Sequence, residues 1–135
     1  MSLINWNKNY SVVVIEFDTQ HKILIDLINK LHDSMKAGAG NTALAEILNE
    51  LVNYTKIHFS NEEKHFAQFG YPETATHKIE HEKLTKQVLD FQKEYLEGKA
   101  SMSIDVMNFL RDWLLEHIGG VDKKYTAFFN SKGIR

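Results

Sequence analysis

The chain of 135 residues suits one domain with one hydrophobic core. It has no cysteine, which excludes disulfides, thiolate zinc sites, iron–sulfur clusters and cysteine nucleophiles, so any metal must be held by histidine and carboxylate. Its net charge is −2 with the signs interspersed, which argues against a nucleic-acid or anionic-membrane surface. MSLINWNKNY lacks the apolar core of a signal peptide, and no apolar run is long enough to span a bilayer, so we expect a cytoplasmic protein.

The N-terminal segment 1–17 predicts an irregular lead-in that packs along the rest of the protein. Within it, SVVVIEF (11–17) is the only stretch that could form a short strand. The first helix is predicted over about 18–37, because apolar residues recur there at helical spacing. Asp18 is the expected N-cap, and the glycines of AGAGN suit the end of the helix. His21 lies on the inner face of this helix.

The second helix is predicted over about 41–69 and ends at Gly70. On a helix, His58 and Glu62 are four residues apart and share one face, which also carries the apolar residues. A buried carboxylate costs several kcal/mol unless it is paired, protonated or bound to metal. If Glu62 is buried as predicted, its carboxylate must therefore be paired, protonated or bound to metal.

The third helix is predicted over about 73–97, following Pro72, the only proline. Its inner face repeats at spacings of four and three residues and includes His77 and His81. These two histidines are therefore expected to point inward from the same helix.

The fourth helix is predicted over about 101–118, with His117 on its inner face. Asp122 follows five residues later, and an uninterrupted helix would turn it about 140° away from His117. The intervening Gly119 and Gly120 could relax the helix enough to bring it back.

Four amphipathic helices with short connections favour an all-α protein, an up-and-down antiparallel four-helix bundle. The lead-in precedes the bundle, and a short helical tail is expected at about 121–130. We find no internal repeat or linker, so residues 1–135 are interpreted as a single domain.

All four predicted helices present imidazole or carboxylate to the interior. One histidine on an apolar face is usually an ordinary core residue, but agreement among four helices favours a shared metal site. Imidazole suits zinc, copper, iron and nickel, and a carboxylate can bridge two ions. Two six-coordinate ions bridged by both carboxylates and an oxide or hydroxide would keep one position free for a small molecule. The candidate metal ligands are His21, His58, Glu62, His77, His81, His117 and Asp122.

The motifs DTQH (18–21), HFSNEE (58–63), HKIEH (77–81) and WLLEHIGGVDKKY (113–125) resemble the hemerythrin family, most closely its single-domain bacterial members. The resemblance covers nearly the whole chain. It implies two non-heme iron ions per chain with an oxo or hydroxo bridge, and reversible binding of dioxygen at the iron that keeps a free position.

The resemblance also implies a role for each ligand. His77, His81 and His117 would bind one iron, His21 and His58 the other, and Glu62 and Asp122 would bridge them. The residues that resemble the apolar lining of the oxygen site are Phe59, Trp113, Leu114 and Ile118.

Three further positions need an interpretation. The family often has glycine where this chain has Val13. His32 follows His21 by about 16 Å along the helix, which is too far to share a metal. His65 forms an E-x-x-H motif with Glu62, as in ferritin-like di-iron proteins, but the second such motif is missing. We therefore interpret His65 as structural or solvent-facing.

Three functions remain open at this point. The first is reversible dioxygen binding for storage, delivery or sensing, in which an oxygen-using or signalling protein is a possible partner. The second is a di-iron enzyme, either an oxidase or peroxidase or a nitric oxide-handling protein. It would need a proton donor near the free position, and the sequence offers no obvious one. The third is a metal-free helical interaction module.

Overall fold

The computed structural model describes residues 3–99 and 101–135, and within these ranges it contains helices and no strand. Helix α1 packs against α2 and α4, and α2 packs against α3, as an up-and-down antiparallel bundle requires. The predicted fold is confirmed, and the segment 11–17 is not a strand. The helices are α1 (Ile15–Lys36), α2 (Asn41–Phe69), α3 (Thr74–Leu96), α4 (Ile104–Glu116) and α5 (Thr126–Ser131).

Helix α1 begins at Ile15, three residues before its predicted start, so the assignment of Asp18 as N-cap was wrong. The Asp18 carboxylate instead accepts hydrogen bonds from the Val12 N–H at 2.8 Å and from the Ser11 hydroxyl at 2.5 Å. Its oxygens are thus used by the chain before the helix. Asp18 ties the lead-in to the first turn of α1.

Val13 has a φ of 55°, the left-handed region that favours glycine. Its N–H donates to the Ser11 hydroxyl at 3.0 Å, and its carbonyl accepts from the Asn130 side chain at 3.1 Å. A β-branched residue is strained in this region, and the contacts on both sides hold it there. The position where the family often has glycine is therefore one whose backbone conformation suits glycine.

The other helix ends lie close to their predicted positions. Helix α2 ends at Gly70, as predicted, with a φ of 70° and an N–H that donates to the Phe66 carbonyl. Helix α3 is one residue shorter at each end than predicted. Helix α4 starts later than predicted, because the Ser103 side chain caps it by accepting from the Val106 N–H.

The segment after α4, where Gly119 and Gly120 were expected to relax the helix, is a continuous and wider helical turn. Residues His117–Val121 form a π-helical turn, in which the Asp122 N–H donates to the His117 carbonyl five residues earlier. A 3-10 turn, Asp122–Tyr125, then leads into α5. The tail is helical as expected, but α5 itself begins later than position 121. Single π turns are rare in proteins overall, and those that occur are often found at functional sites.

Two hydrophobic clusters fill the bundle. The large cluster includes Leu24, Leu48, Leu51, Val88, Leu110, Leu114 and Ile118. The small cluster consists of Val12, Val14, Phe17, Phe66, Tyr71, Tyr125 and Phe129. On α1, the buried His21 falls between Phe17 of the small cluster and Leu24 of the large one. A buried polar layer therefore separates two apolar regions.

Within the described ranges, no helix combines the length and the apolar character needed to cross a membrane.

Candidate metal centre

The polar layer brings together all seven candidate ligands. Their nitrogen and oxygen atoms form two groups, and within each group the atoms lie within 4.8 Å of one another. Glu62 and Asp122 belong to both groups. The first group is Glu62, His77, His81, His117 and Asp122, and the second is His21, His58, Glu62 and Asp122.

Local helix geometry explains how these side chains converge. His58 and Glu62 on α2, and His77 and His81 on α3, are four residues apart and therefore share a face. Asp122 is five residues beyond His117, and the π turn between them restores a common direction.

Asp122 lies at the middle of the layer. Its Oδ1 is 2.9 Å from Nε2 of His77 and 2.9 Å from Nε2 of His117. Its Oδ2 is 2.9 Å from Nε2 of His21. One carboxylate therefore faces histidines from both groups, as a bridging ligand must.

Glu62 likewise faces histidines of both groups. Its Oε1 is 3.0 Å from Nε2 of His81. Its Oε2 is 3.4 Å from Nε2 of His58 and 3.7 Å from Nε2 of His21. The two oxygens of Glu62 thus face different groups.

Many of these buried atoms have no hydrogen-bond partner in the described part of the chain. They are Nε2 of His21, His58, His77 and His117, and both oxygens of Asp122. Several are only 2.9 Å from one another, so their distances are short while their angles do not suit a hydrogen bond. Orphaned buried polar atoms are costly, and lone pairs converging on a shared space suit metal cations. The residues therefore fit a pair of ions.

The pKa values of the two histidines in the second group move in opposite directions. Burial lowers the pKa of His21, but the facing carboxylates of Asp122 and Glu62 outweigh it and raise the pKa to about 9. Burial lowers the pKa of His58 to about 4, although the Glu62 charge opposes this shift. Positive charge is thus favoured beside His21, between the two carboxylates.

Both carboxylates are held in their ionised form. Burial and their mutual repulsion act to raise the pKa of Glu62, but the surrounding histidines, His58 first, lower it below its usual value. Burial likewise opposes ionisation of Asp122, and His117 and the other rings hold its pKa well below its usual range. The layer therefore contains two buried negative charges that cations would neutralise.

Two candidate ligands have hydrogen-bond partners on their outer ring nitrogens. His58 Nδ1 lies 2.6 Å from Oε1 of Gln20, and His81 Nδ1 lies 2.8 Å from Oε2 of Glu63. Such contacts orient a ring and determine which nitrogen is free to bind metal. Neither Gln20 nor Glu63 was predicted as part of the site, because both contacts join residues on different helices.

Tyr125 is a further residue of the site that was not predicted from the sequence. Its hydroxyl donates to Oε2 of Glu62 at 2.6 Å, and the side chain is fully buried. Burial, together with the Glu62 and Asp122 charges, raises the pKa of Tyr125 well above its usual value, so the phenol keeps its proton. Its place three residues after Asp122, inside the motif WLLEHIGGVDKKY, is the signal that could have found it.

The four predicted oxygen-pocket residues are buried. Phe59 stacks on the ring of His81 at a centroid distance of 3.9 Å. Trp113, Leu114 and Ile118 belong to the large cluster, and the Trp113 ring N–H donates to the Leu84 carbonyl at 3.1 Å. These positions are next to the layer in sequence, and their role as the lining of an oxygen site stays a prediction.

The remaining two histidines lie outside both groups. His65 Nε2 is 2.9 Å from a Glu16 oxygen, and its Nδ1 is 2.8 Å from the Asn61 carbonyl oxygen. His32 is buried, with Nδ1 3.6 Å from an Asp33 oxygen. His65 connects α2 to the start of α1, in agreement with the structural interpretation.

The two groups differ in their distance from solvent. His21 and His58 are completely buried. The histidines of the first group border surface grooves, and one of these grooves, of about 490 Å³ between α2 and α3, is lined in part by Phe59, Glu63 and His81. The second group is therefore the drier of the two.

A four-helix bundle that converges five imidazoles and two shared carboxylates on one buried layer defines a protein that binds a pair of metal cations.

Comparisons with known proteins agree with this class. Residues 12–129 match the family model described as Hemerythrin HHE cation binding domain. The chain is 38% identical over 126 residues to a bacteriohemerythrin from Methylococcus capsulatus, covering 93% of this chain and 95% of the relative. It is 32% identical to a bacteriohemerythrin from Stenotrophomonas maltophilia, covering 93% and 80%. A crystal structure of wild-type hemerythrin superimposes with a TM-score of 0.86 at 38% identity, covering 93% of this chain and 97% of that one. The chain belongs to the hemerythrin family.

Proposed function

We propose that this protein binds dioxygen reversibly at a non-heme di-iron centre. Iron is the metal of the family, and the mixed imidazole and carboxylate donors suit it. The observation that carries the proposal is the pair of ligand groups that share Glu62 and Asp122. Two ferrous ions would supply the electrons needed for reversible binding of dioxygen.

The seven side chains would bind the two ions in two sets that share the carboxylates. His77, His81 and His117 would hold one ion, and His21 and His58 the other. Glu62 and Asp122 face both groups, and their negative charges would offset part of the charge of two cations. The group with His21 and His58 offers fewer protein ligands, so an ion held there would keep a position free for dioxygen.

Other residues of the chain hold the ligands in place. The Tyr125 hydroxyl donates to Oε2 of Glu62, and this contact orients the carboxylate. Gln20 accepts from Nδ1 of His58, which leaves Nε2 of that ring free for metal. These contacts preorganise the site before a ligand arrives.

A dry interior favours binding over turnover. His21 and His58 are completely buried, and Leu114 and Ile118 are at most 2% exposed. Bound oxygen leaves irreversibly when water or another proton source reaches it, so apolar walls protect reversibility. The burial pattern therefore supports a carrier more than an oxidase.

A second candidate function, a di-iron oxidase or peroxidase, has one observation in its favour. The Tyr125 hydroxyl is a buried proton-bearing group at Glu62, which is the kind of group the enzyme hypothesis requires. The hydroxyl keeps its proton and already donates its hydrogen bond to Glu62, so the carrier remains our first proposal.

The experiment that tests the proposal combines metal analysis with an optical spectrum. We expect two irons per chain, and a coloured form in air that returns to near-colourless when oxygen is removed, over several cycles. One metal per chain, or zinc alone in protein matured with iron available, would contradict the di-iron site. Steady oxygen consumption with a reductant, faster than autoxidation, would favour the enzyme.

A further inference from the structure

The outer nitrogens of two candidate ligands meet acceptors of different charge. His81 Nδ1 is 2.8 Å from an oxygen of the Glu63 carboxylate. His58 Nδ1 is 2.6 Å from the oxygen of the Gln20 amide. His81 belongs to the first ligand group and His58 to the second, so each group has one ring with an outer acceptor. The pair of groups is therefore electrostatically asymmetric.

The contact with Glu63 determines how His81 can act. Its other nitrogen, Nε2, is 3.0 Å from Oε1 of Glu62 and faces the first ligand group. If Nε2 supplies its lone pair to a metal, Nδ1 must carry the proton and donate it to Glu63. A carboxylate acceptor draws on that proton, which makes the imidazole a stronger electron donor. A neutral amide such as that of Gln20 increases electron donation by the imidazole less.

The position of Glu63 suits this role. Its side chain is 30% exposed at the groove between α2 and α3, while the His81 ring is 2% exposed. Among the described residues, its one ion-pair contact is with His81. The ring is also held from one face by Phe59, whose ring lies 3.9 Å away at an interplanar angle of 4°. Glu63 and Phe59 together leave His81 little freedom to rotate.

We propose that Glu63 is a positioning residue that acts through His81 to strengthen binding of one of the two ions and to lower the reduction potential of the centre. A more electron-rich ligand stabilises the higher charge of an oxidised metal, which explains the effect on potential. The effect on potential rests on the proposed di-iron function. The effect on affinity applies to any divalent cation held by the same groups.

The chain offers a matched pair of variants to test this inference. Glu63→Gln keeps the shape and the hydrogen-bonding capacity of the side chain and removes its charge. Glu82→Gln removes the same charge from an exposed residue that lines the same groove, and in the described part of the chain the His81 ring nitrogens have Glu62 and Glu63, not Glu82, as their partners. The reciprocal variant, Gln20→Glu, places a carboxylate beside His58.

The first measurement is zinc affinity, from competition with a chelator. Mutation of an outer partner typically weakens metal binding about 10–100-fold, so we expect Glu63→Gln to weaken the binding of one of the two zinc ions by a factor in that range. Glu82→Gln should bind both zinc ions as tightly as the parent does, and Gln20→Glu should bind one of them more tightly.

The second measurement is the midpoint potential of the iron-loaded protein. This potential should rise in Glu63→Gln, fall in Gln20→Glu and stay near the parent value in Glu82→Gln.

Circular dichroism of the zinc-free variants checks that each is folded. Unchanged zinc affinity in Glu63→Gln would overturn the proposal, as would an equal loss in Glu82→Gln, which would indicate a general effect of surface charge. If Glu63→Gln does not fold, Gln20→Glu alone tests the mechanism. Tighter zinc binding and a lower midpoint potential in Gln20→Glu would support it, and an unchanged zinc affinity and midpoint potential would count against it. Failure of the proposed function is recognised separately, from a parent protein that does not bind oxygen reversibly, because the zinc competition requires neither iron nor oxygen.

Discussion

The hydroxyl of Tyr125 donates a hydrogen bond of 2.6 Å to Oε2 of Glu62, and both side chains are completely buried. The two residues are 63 positions apart, on the segment before α5 and on α2. The contact connects the small hydrophobic cluster, to which Tyr125 belongs, with the polar layer. The hydrogen bond thereby holds a carboxylate that faces both ligand groups.

Replacement of Tyr125 by phenylalanine tests the strength of this contact. A hydrogen bond to a charged group contributes about 1.5–3 kcal/mol, so we expect Tyr125→Phe to lower the free energy of unfolding by about that amount. Urea denaturation of the metal-loaded proteins measures it. The control is Tyr95→Phe, whose hydroxyl makes only longer contacts of 3.3 and 3.4 Å with Asn41. Equal losses in the two variants would show that the hydrogen bond to Glu62 contributes no more to the free energy of unfolding than the longer contacts of Tyr95.

Replacement of Glu62 by alanine tests the assignment of a bridge. Because Glu62 belongs to both ligand groups, its loss should release both ions and not just one. His65→Ala on the same helix should keep both, since His65 lies outside both groups. Metal analysis after gel filtration gives the two stoichiometries. A Glu62→Ala protein that retains one tightly bound ion would argue against a bridging role.

Leu114 tests the proposed dry wall of the oxygen site. It is three residues before His117, about one helical turn, whereas Leu110 lies a further turn away in the same hydrophobic cluster. Leu114→Ala and Leu110→Ala should each cost about 2–5 kcal/mol in unfolding free energy. Only Leu114→Ala should also speed autoxidation while both irons stay bound, because it opens a path for water. The decay of the oxygenated spectrum in air measures this difference, and equal decay rates in the two variants would identify Leu114 as a packing residue.

Val13 offers a test of stored backbone strain. Its φ of 55° costs a residue with a Cβ about 1–2 kcal/mol, while glycine adds an entropic cost of about 0.5–1 kcal/mol. Val13→Gly should therefore raise the free energy of unfolding by up to about 1.5 kcal/mol, measured by urea denaturation. Val13→Ala keeps the Cβ and should gain less. A Val13→Gly protein less stable than the alanine variant would mean that the strain is offset by contacts of the valine side chain.

The residues of the two candidate ligand groups could be named from the sequence, because their spacing is a local property. Four-residue spacing on a helix puts His58 beside Glu62 and His77 beside His81 whatever the rest of the chain does. Glycine has a comparable local effect at Gly70, where α2 ends as predicted. Helix number, inner faces and candidate ligands follow from such short-range rules.

The tertiary structure determined the features that these short-range rules do not specify. A regular helix would turn Asp122 away from His117, and the direction was set by a π turn, whose wider hydrogen bond the residue types alone do not specify. The contacts Tyr125–Glu62, Gln20–His58 and Glu63–His81 join residues 63, 38 and 18 positions apart. They depend on the axial register of packed helices, which hydrophobic periodicity leaves free, because a stripe of apolar residues determines which side of a helix faces inward and not how far it slides. The sequence by itself therefore determined which residues the centre has available, and the packing of the bundle determined which of them touch.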